Sequence, residues 1–171
     1  MIQWIGATMI LCGSLAWGLS AVWRLKRRVA VLDGLCTALS TMRMEICDRM
    51  APMPEIFERL SHELPYPVSA LFEHLSRNMG QLGQRTLAEI WRLSIEETNG
   101  LSLTPQEEFT LSELGLSLGK YRVEEQSAAI VCTLHRMERY AEQAHIDQKR
   151  DGRLHACLGV VAGVFSVILL V

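Results

Sequence analysis

The sequence predicts an all-α protein: an N-terminal transmembrane helix, a cytoplasmic bundle of about five to six helices, and a long last helix running into a C-terminal transmembrane helix. Three observations carry this. Neither Met1–Trp23 nor Leu154–Val171 contains a Lys, Arg, Asp or Glu, and every such residue lies between them. The segment between them repeats its apolar residues at spacings of three and four, broken by proline and Asn-Gly. No stretch holds the two-residue alternation of a half-buried strand. The expected organisation is a first span over 1–24, a bundle over 25–153 and a second span over 154–171.

The first stretch suits a bilayer, whose hydrocarbon core of about 30 Å needs roughly 20 apolar residues. A cleaved signal peptide fits less well, because Met1-Ile2-Gln3-Trp4 offers no basic start and the apolar run is too long. Trp4 and Trp23 stand near its ends, where aromatic rings favour the headgroup level. The last stretch, at 1.5 Å per residue, reaches about 27 Å. Arg24, Lys26, Arg27 and Arg28 follow the first stretch, and Lys149, Arg150 and Arg153 precede the second. Basic flanks stay on the cytoplasmic side, which places the middle segment there. Gly159 and Gly163 form a GxxxG in the second stretch, and Ser14 and Gly18 a small-xxx-small pair in the first. Such pairs let helices approach closely in lipid, so these four residues are candidates for packing the spans together.

Between the spans, Leu32, Leu35, Leu39, Met42 and Ile46 share one helical stripe. Ala51-Pro52-Met53-Pro54 ends that helix and starts a short one over Pro54–His62, burying Ile56, Phe57 and Leu60. After Pro65-Tyr66-Pro67, a helix over Val68–Met79 presents Val68, Leu71, Phe72, Leu75 and Met79, with Gly80 as its expected C-cap. A helix over Thr86–Thr98 presents Leu87, Ile90, Trp91 and Ile95, and Asn99-Gly100 stops it. Thr104-Pro105-Gln106-Glu107 is a capping box with proline at the first helical position. The helix it opens is expected to bury Phe109, Leu111 and Leu114 and to loosen at Gly115 and Gly119. From about Tyr121 nothing interrupts the chain until Gly152. Ile130, Leu134, Met137, Ala141 and Ala144 then mark one long helix.

Composition excludes several functions. Seventeen Lys and Arg face nineteen Asp and Glu, without the concentrated basic face that displaces counterions from phosphates, so no nucleic-acid partner is expected. The basic flanks are accounted for by topology and anionic headgroups of the lipid bilayer. Five cysteines without CxxC spacing fit a reducing compartment. His135 and His145 are ten apart and do not converge on a helix face, so no metal is expected. No GxSxG and no GxxxxGK[ST] occurs. Glu96-Glu97 and Glu124-Glu125 are neighbours that point about 100° apart on a helix, the pattern of a solvated face. The residues therefore predict no catalytic residue and no cofactor.

The ordered set Leu35-Cys36-Thr37-Ala38-Leu39, Met44-Glu45-Ile46, Ala51-Pro52-Met53-Pro54-Glu55, Pro67-Val68-Ser69-Ala70-Leu71-Phe72, Leu114-Gly115-Leu116-Ser117-Leu118-Gly119, Gln126 and Leu158-Gly159 resembles the stage III sporulation protein AB family. The likeness covers essentially the whole chain. One departure stands after Gly119, where that family commonly has an aspartate and this chain has Lys120-Tyr121-Arg122-Val123. The resemblance implies a subunit of the channel complex that endospore formers build between mother cell and forespore. It implies a soluble domain similar to those of type II secretion and type IV pilus platform proteins. The partners it implies are a stage III sporulation protein AA-like ATPase and other channel membrane subunits, with the protein in the mother-cell membrane around the forespore. Gly115, Gly119, Glu124 and Gln126, where glycines interrupt a helical run, are the candidate partner contacts. A platform predicts a closed core and an exposed patch. The alternative, a membrane-anchored sensor whose bundle binds a ligand, predicts an apolar pocket with convergent polar groups.

Overall fold

The computed structural model describes the secondary structure of residues 2–119 and 122–170 and the side chains of residues 20, 22–119 and 122–150. Among these residues there are six α-helices and no β-strand: α1 (Ile2–Cys47), α2 (Met53–Glu63), α3 (Val68–Asn78), α4 (Leu87–Glu97), α5 (Pro105–Ser117) and α6 (Val123–Leu170). Residues 30–141 form one compact unit; residues 1–29 with 142–171 form a second. The first and last helices contribute to both.

Helix α1 runs through 46 residues without a break at the basic cluster. Nothing from Arg24 to Ile46 punctuates it except Gly34, and lone glycines cost a helix only about 1 kcal/mol. Helix α6 spans 48 residues, about 72 Å at 1.5 Å per residue, and so is continuous past Gly152. The spans expected over 1–24 and 154–171 fall almost wholly outside the residues whose side chains are described. Among the described residues, no helix is long and apolar enough to cross a membrane.

In the compact unit, α2 packs on α3, α3 on α4, and α4 on α5. The stripe from Leu32 to Ile46 is buried throughout, as are Ile56, Phe57 and Leu60 of α2 and Val68, Leu71, Phe72 and Leu75 of α3. Pro52 caps α2 in extended conformation, and Tyr66–Pro67 is a cis peptide before α3. At the heart, Phe57, Phe72 and Trp91 lie with ring centroids 6.0–6.3 Å apart, all buried. Tilted and edge-on pairs of this kind align ring edges with electron-rich faces. Tyr66 Oη donates to the Asn99 carbonyl oxygen at 3.2 Å, tying the α2–α3 turn to the α4–α5 turn.

Thr86 and Thr104 start α4 and α5 with complete capping boxes. Each threonine hydroxyl accepts from the amide three residues on, and Glu89 and Glu107 accept from the threonine amides at 2.9 and 2.7 Å. The Thr86 box carries the same Thr-x-x-Glu pattern as Thr104 but was not among the sequence expectations. These bonds hold the Glu89 carboxyl below its ordinary range, because ionisation strengthens the hydrogen bonds it accepts.

Several expectations need correction. Gly80 does not cap α3: the chain tightens into a 3₁₀ turn over Met79–Gln81, and the positive φ falls at Gly83. Leu87 and Leu134 are half-buried. On α6 the buried positions include Thr133 beside Ile130, Met137, Ala141 and Ala144. Phe109 is 64% exposed and lies outside the core. Helix α5 does not loosen at Gly115 but continues to Ser117, ending before Gly119 at φ +79°.

Candidate interaction surface

Gly115 stays helical because it belongs to the core. An added Cβ would lie 2.7–2.9 Å from Cδ1, Cγ and Cβ of Trp91. The missing side chain lets the indole of α4 settle against the α5 backbone, where Trp91 Nε1 donates to the Leu111 carbonyl oxygen at 2.8 Å. Gly115 is therefore buried and is not a surface for a partner. Gly119, Glu124 and Gln126 do lie at the α5–α6 connection. Gly119 and Glu124 are exposed, Gln126 is half-buried, and the Gln126 amide donates to the Arg122 carbonyl oxygen at 3.0 Å. Glu124 Oε2 stands 3.8 Å from Arg122 Nε. Gly159, Gly163, Ser14 and Gly18 lie outside the described side chains.

One charged group is buried at the end of α1. The Glu45 side chain is 7% exposed, and its Oε1 accepts from Arg59 Nη1 at 2.6 Å and from Arg49 Nη1 at 3.0 Å. Its Oε2 has no hydrogen-bond partner. The Arg59 bond joins α1 to α2 across the Pro52 turn, which makes this cluster a structural clamp. Cys36, half-buried on α1, has its thiol pKa pushed up to about 11 by burial, with the negative charges of Glu138 and Asp33 adding to it. A thiol held neutral is a poor nucleophile. Among the described residues, no three His, Cys, Asp or Glu converge as a metal site would require.

The surface feature that sequence reasoning missed lies between the outer faces of α4 and α5. Pro105, Glu108, Phe109, Ser112, Glu113 and Leu116 recur at helical spacing along α5 and face Ala88, Arg92 and Glu96 of α4. Together they line a groove of about 640 Å³ that opens to solvent. Its lining includes the small Ala88 and Ser112, and Phe109 and Leu116 stand exposed along it at 64% and 56%. Glu89, Glu96, Glu108 and Glu113 bring four carboxylates to the lining against the single guanidinium of Arg92. Arg92 bonds Glu96 at 2.7 Å, and Arg136 of α6 reaches Glu113 at 2.9 Å. The sequence did hold a signal for this groove. At 100° per residue, Phe109 and Leu116 point about 140–180° away from Leu111, Leu114 and Leu118, so α5 has two apolar stripes.

The family model described as stage III sporulation protein AB matches residues 3–171, including both uncharged ends. The chain belongs to this family. A curated stage III sporulation protein AB of Bacillus subtilis (strain 168) is 25% identical over 171 residues, covering 99% of each chain. A solved structure of a stage III sporulation protein AB superposes with a TM-score of 0.67 at 25% identity, covering 72% of this chain and 98% of its own. The all-helical fold is thus shared with a solved member of the stage III sporulation protein AB family.

Proposed function

We propose that the protein serves sporulation as a non-enzymatic membrane platform. Two spans over 1–24 and 154–171 hold a cytoplasmic helical bundle, and the bundle docks a secretion-type ATPase of the mother cell–forespore channel. The observation that carries this reading is the family match from residue 3 to residue 171, which extends beyond the bundle into both uncharged ends. The packing supports it. The bundle core is filled by large side chains such as Trp91, Phe57 and Phe72, with apolar residues left over on an open outer face. That is the pattern of a docking protein, and a ligand sensor would instead enclose a pocket among convergent polar groups. Trp23, 72% exposed beside Arg24, suits a ring at the headgroup level.

Two experiments test the reading. The detergent-solubilised full chain should retain the folded, hexameric ATPase in a pull-down, and failure to do so removes the docking role. A cysteine placed at Gln3, in a chain whose own five cysteines are replaced, should label only from outside the cytoplasm. Labelling only from the cytoplasmic side would overturn the two-span orientation.

A further inference from the structure

We infer that the α4–α5 groove is the seat of an amphipathic helix from a partner protein, with basic residues flanking its apolar stripe. The shape and charge of the groove support this occupant independently of the platform reading. Phe109 and Leu116 are two turns apart, about 10.5 Å along α5, with the small Ser112 between them on the same face and the small Ala88 of α4 opposite in the lining. A helix laid in this trough would place large apolar residues at i, i+3 or i+4 and i+7 between the two rails, the usual mode of helix-in-groove recognition.

Charge selects the occupant. Four carboxylates share the lining with Phe109 and Leu116, and Glu89 is held ionised by its capping bonds. Arg92 within the groove, with Arg85 near Glu89 and Arg136 at Glu113, reduces this charge without reversing it. Lysines and arginines flanking the incoming stripe would complete the rim. The same rim repels an anionic bilayer and nucleic acid. A second copy is disfavoured because the corresponding groove of that copy is equally acidic and symmetric pairing sets like charges face to face.

The test uses the full chain in a non-ionic detergent and a fluorescein-labelled synthetic helix of about eighteen residues, or five turns, with leucines at i, i+4 and i+7 and lysines on both flanks. Anisotropy should show saturable binding that weakens with salt. Phe109→Ser with Leu116→Ser should weaken it about tenfold or more, the loss typical of anchor positions. A peptide with glutamates in place of the lysines should bind correspondingly worse, and Glu108→Lys should narrow that difference. Ser112→Arg, which fills the groove without touching the core, serves if the double variant fails to fold. No binding above the detergent blank, or binding indifferent to both the apolar variant and Ser112→Arg, would overturn the assignment. So would disulfide-linked dimers through the introduced thiol of a Ser112→Cys chain whose own five cysteines are replaced, which would make a second copy the occupant.

Discussion

Gly115→Ala replaces one hydrogen with a methyl group, and the structure predicts that this single methyl destabilises the bundle. The new Cβ would sit 2.7, 2.8 and 2.9 Å from three atoms of Trp91. Unstrained carbon pairs rest at about 3.5–4.0 Å, so the shortfall is about 0.6–1.3 Å. Trp91 cannot retreat, because it is 0% exposed and backed by Phe57 and Phe72 at 6.0 and 6.3 Å. Overpacking of this kind costs about 1–3 kcal/mol. If the ring shifts enough to leave Nε1 and the Leu111 carbonyl oxygen unpaired, about 1–3 kcal/mol is added. Alanine recovers about 0.8–1.0 kcal/mol over glycine in a helix interior. With that bond lost, the net expectation is a loss of about 1–5 kcal/mol. Trp91 is the lone tryptophan of the 25–153 fragment, which contains every described core residue from Val29 to Ala144, so its fluorescence reports unfolding at the site itself. With slopes of about 1–3 kcal/mol per molar urea, the midpoint should fall by roughly 1 M. In a Trp91→Phe background, followed by helical circular dichroism because it lacks the tryptophan, the same substitution should cost at least about 1 kcal/mol less, since the clash has a smaller partner. A midpoint equal to or above wild type, or equal costs in the two backgrounds, would refute the packing argument.

The remaining predictions concern charge and thiol chemistry. Arg59→Met should destabilise far more than Arg49→Met, because Arg59 is 31% exposed and makes the 2.6 Å bond, whereas Arg49 is 65% exposed. Removing the first leaves the buried carboxylate with only the solvent-exposed Arg49 as partner, at about 2 kcal/mol after allowing for residual solvent; removing the second should cost about 0–1 kcal/mol. Equal midpoint shifts in urea would dismiss the clamp. Cys36, with its pKa near 11 against an ordinary 9.0, should alkylate about a hundredfold more slowly at pH 8 than an unperturbed thiol of equal access. The sign of its effect on stability follows. Below pH 9 the thiol is neutral in both states, and between about 9 and 11 only the unfolded chain releases the proton, so stability falls as pH rises. The Cys36→Ala variant should lose less stability over that window, and parallel curves would show the shift to be absent.

Much of the bundle was legible because its signals are local. Proline pairs, Asn99-Gly100 and the Thr104 box mark helix ends through backbone chemistry that needs no tertiary partner. The stripe of α1 and the apolar faces of α2 and α3 follow from spacing alone. What escaped was decided across the fold. Gly115 resembles a helix breaker until Trp91, twenty-four residues earlier in the chain, is seen lying on it. Phe109 was counted with the core because α5 is apolar on two opposite sides; counting leucines hides this, and resolving their angles reveals it. The partner-contact expectation at Gly115–Gln126 followed the glycines, whereas the exposed apolar pair of α5 is Phe109 and Leu116. The continuity of α1 was missed because basic residues were read as a boundary, although charge ends a membrane segment and not a helix.

The Trp91–Leu111 bond and the two capping boxes have a kinetic consequence. Helices α4 and α5 each carry their own start signal, and the contacts that lock them join residues only 20 positions apart. Closing so short a loop costs little entropy, so this hairpin of helices can assemble without waiting for α1 and α6 to meet. It is the natural first-formed region of the bundle during synthesis, completed before most of α6 has left the ribosome. Substitutions at Thr86 and Thr104 should then slow folding more than they speed unfolding, the signature of a nucleus, and the opposite partition would place the start of folding elsewhere.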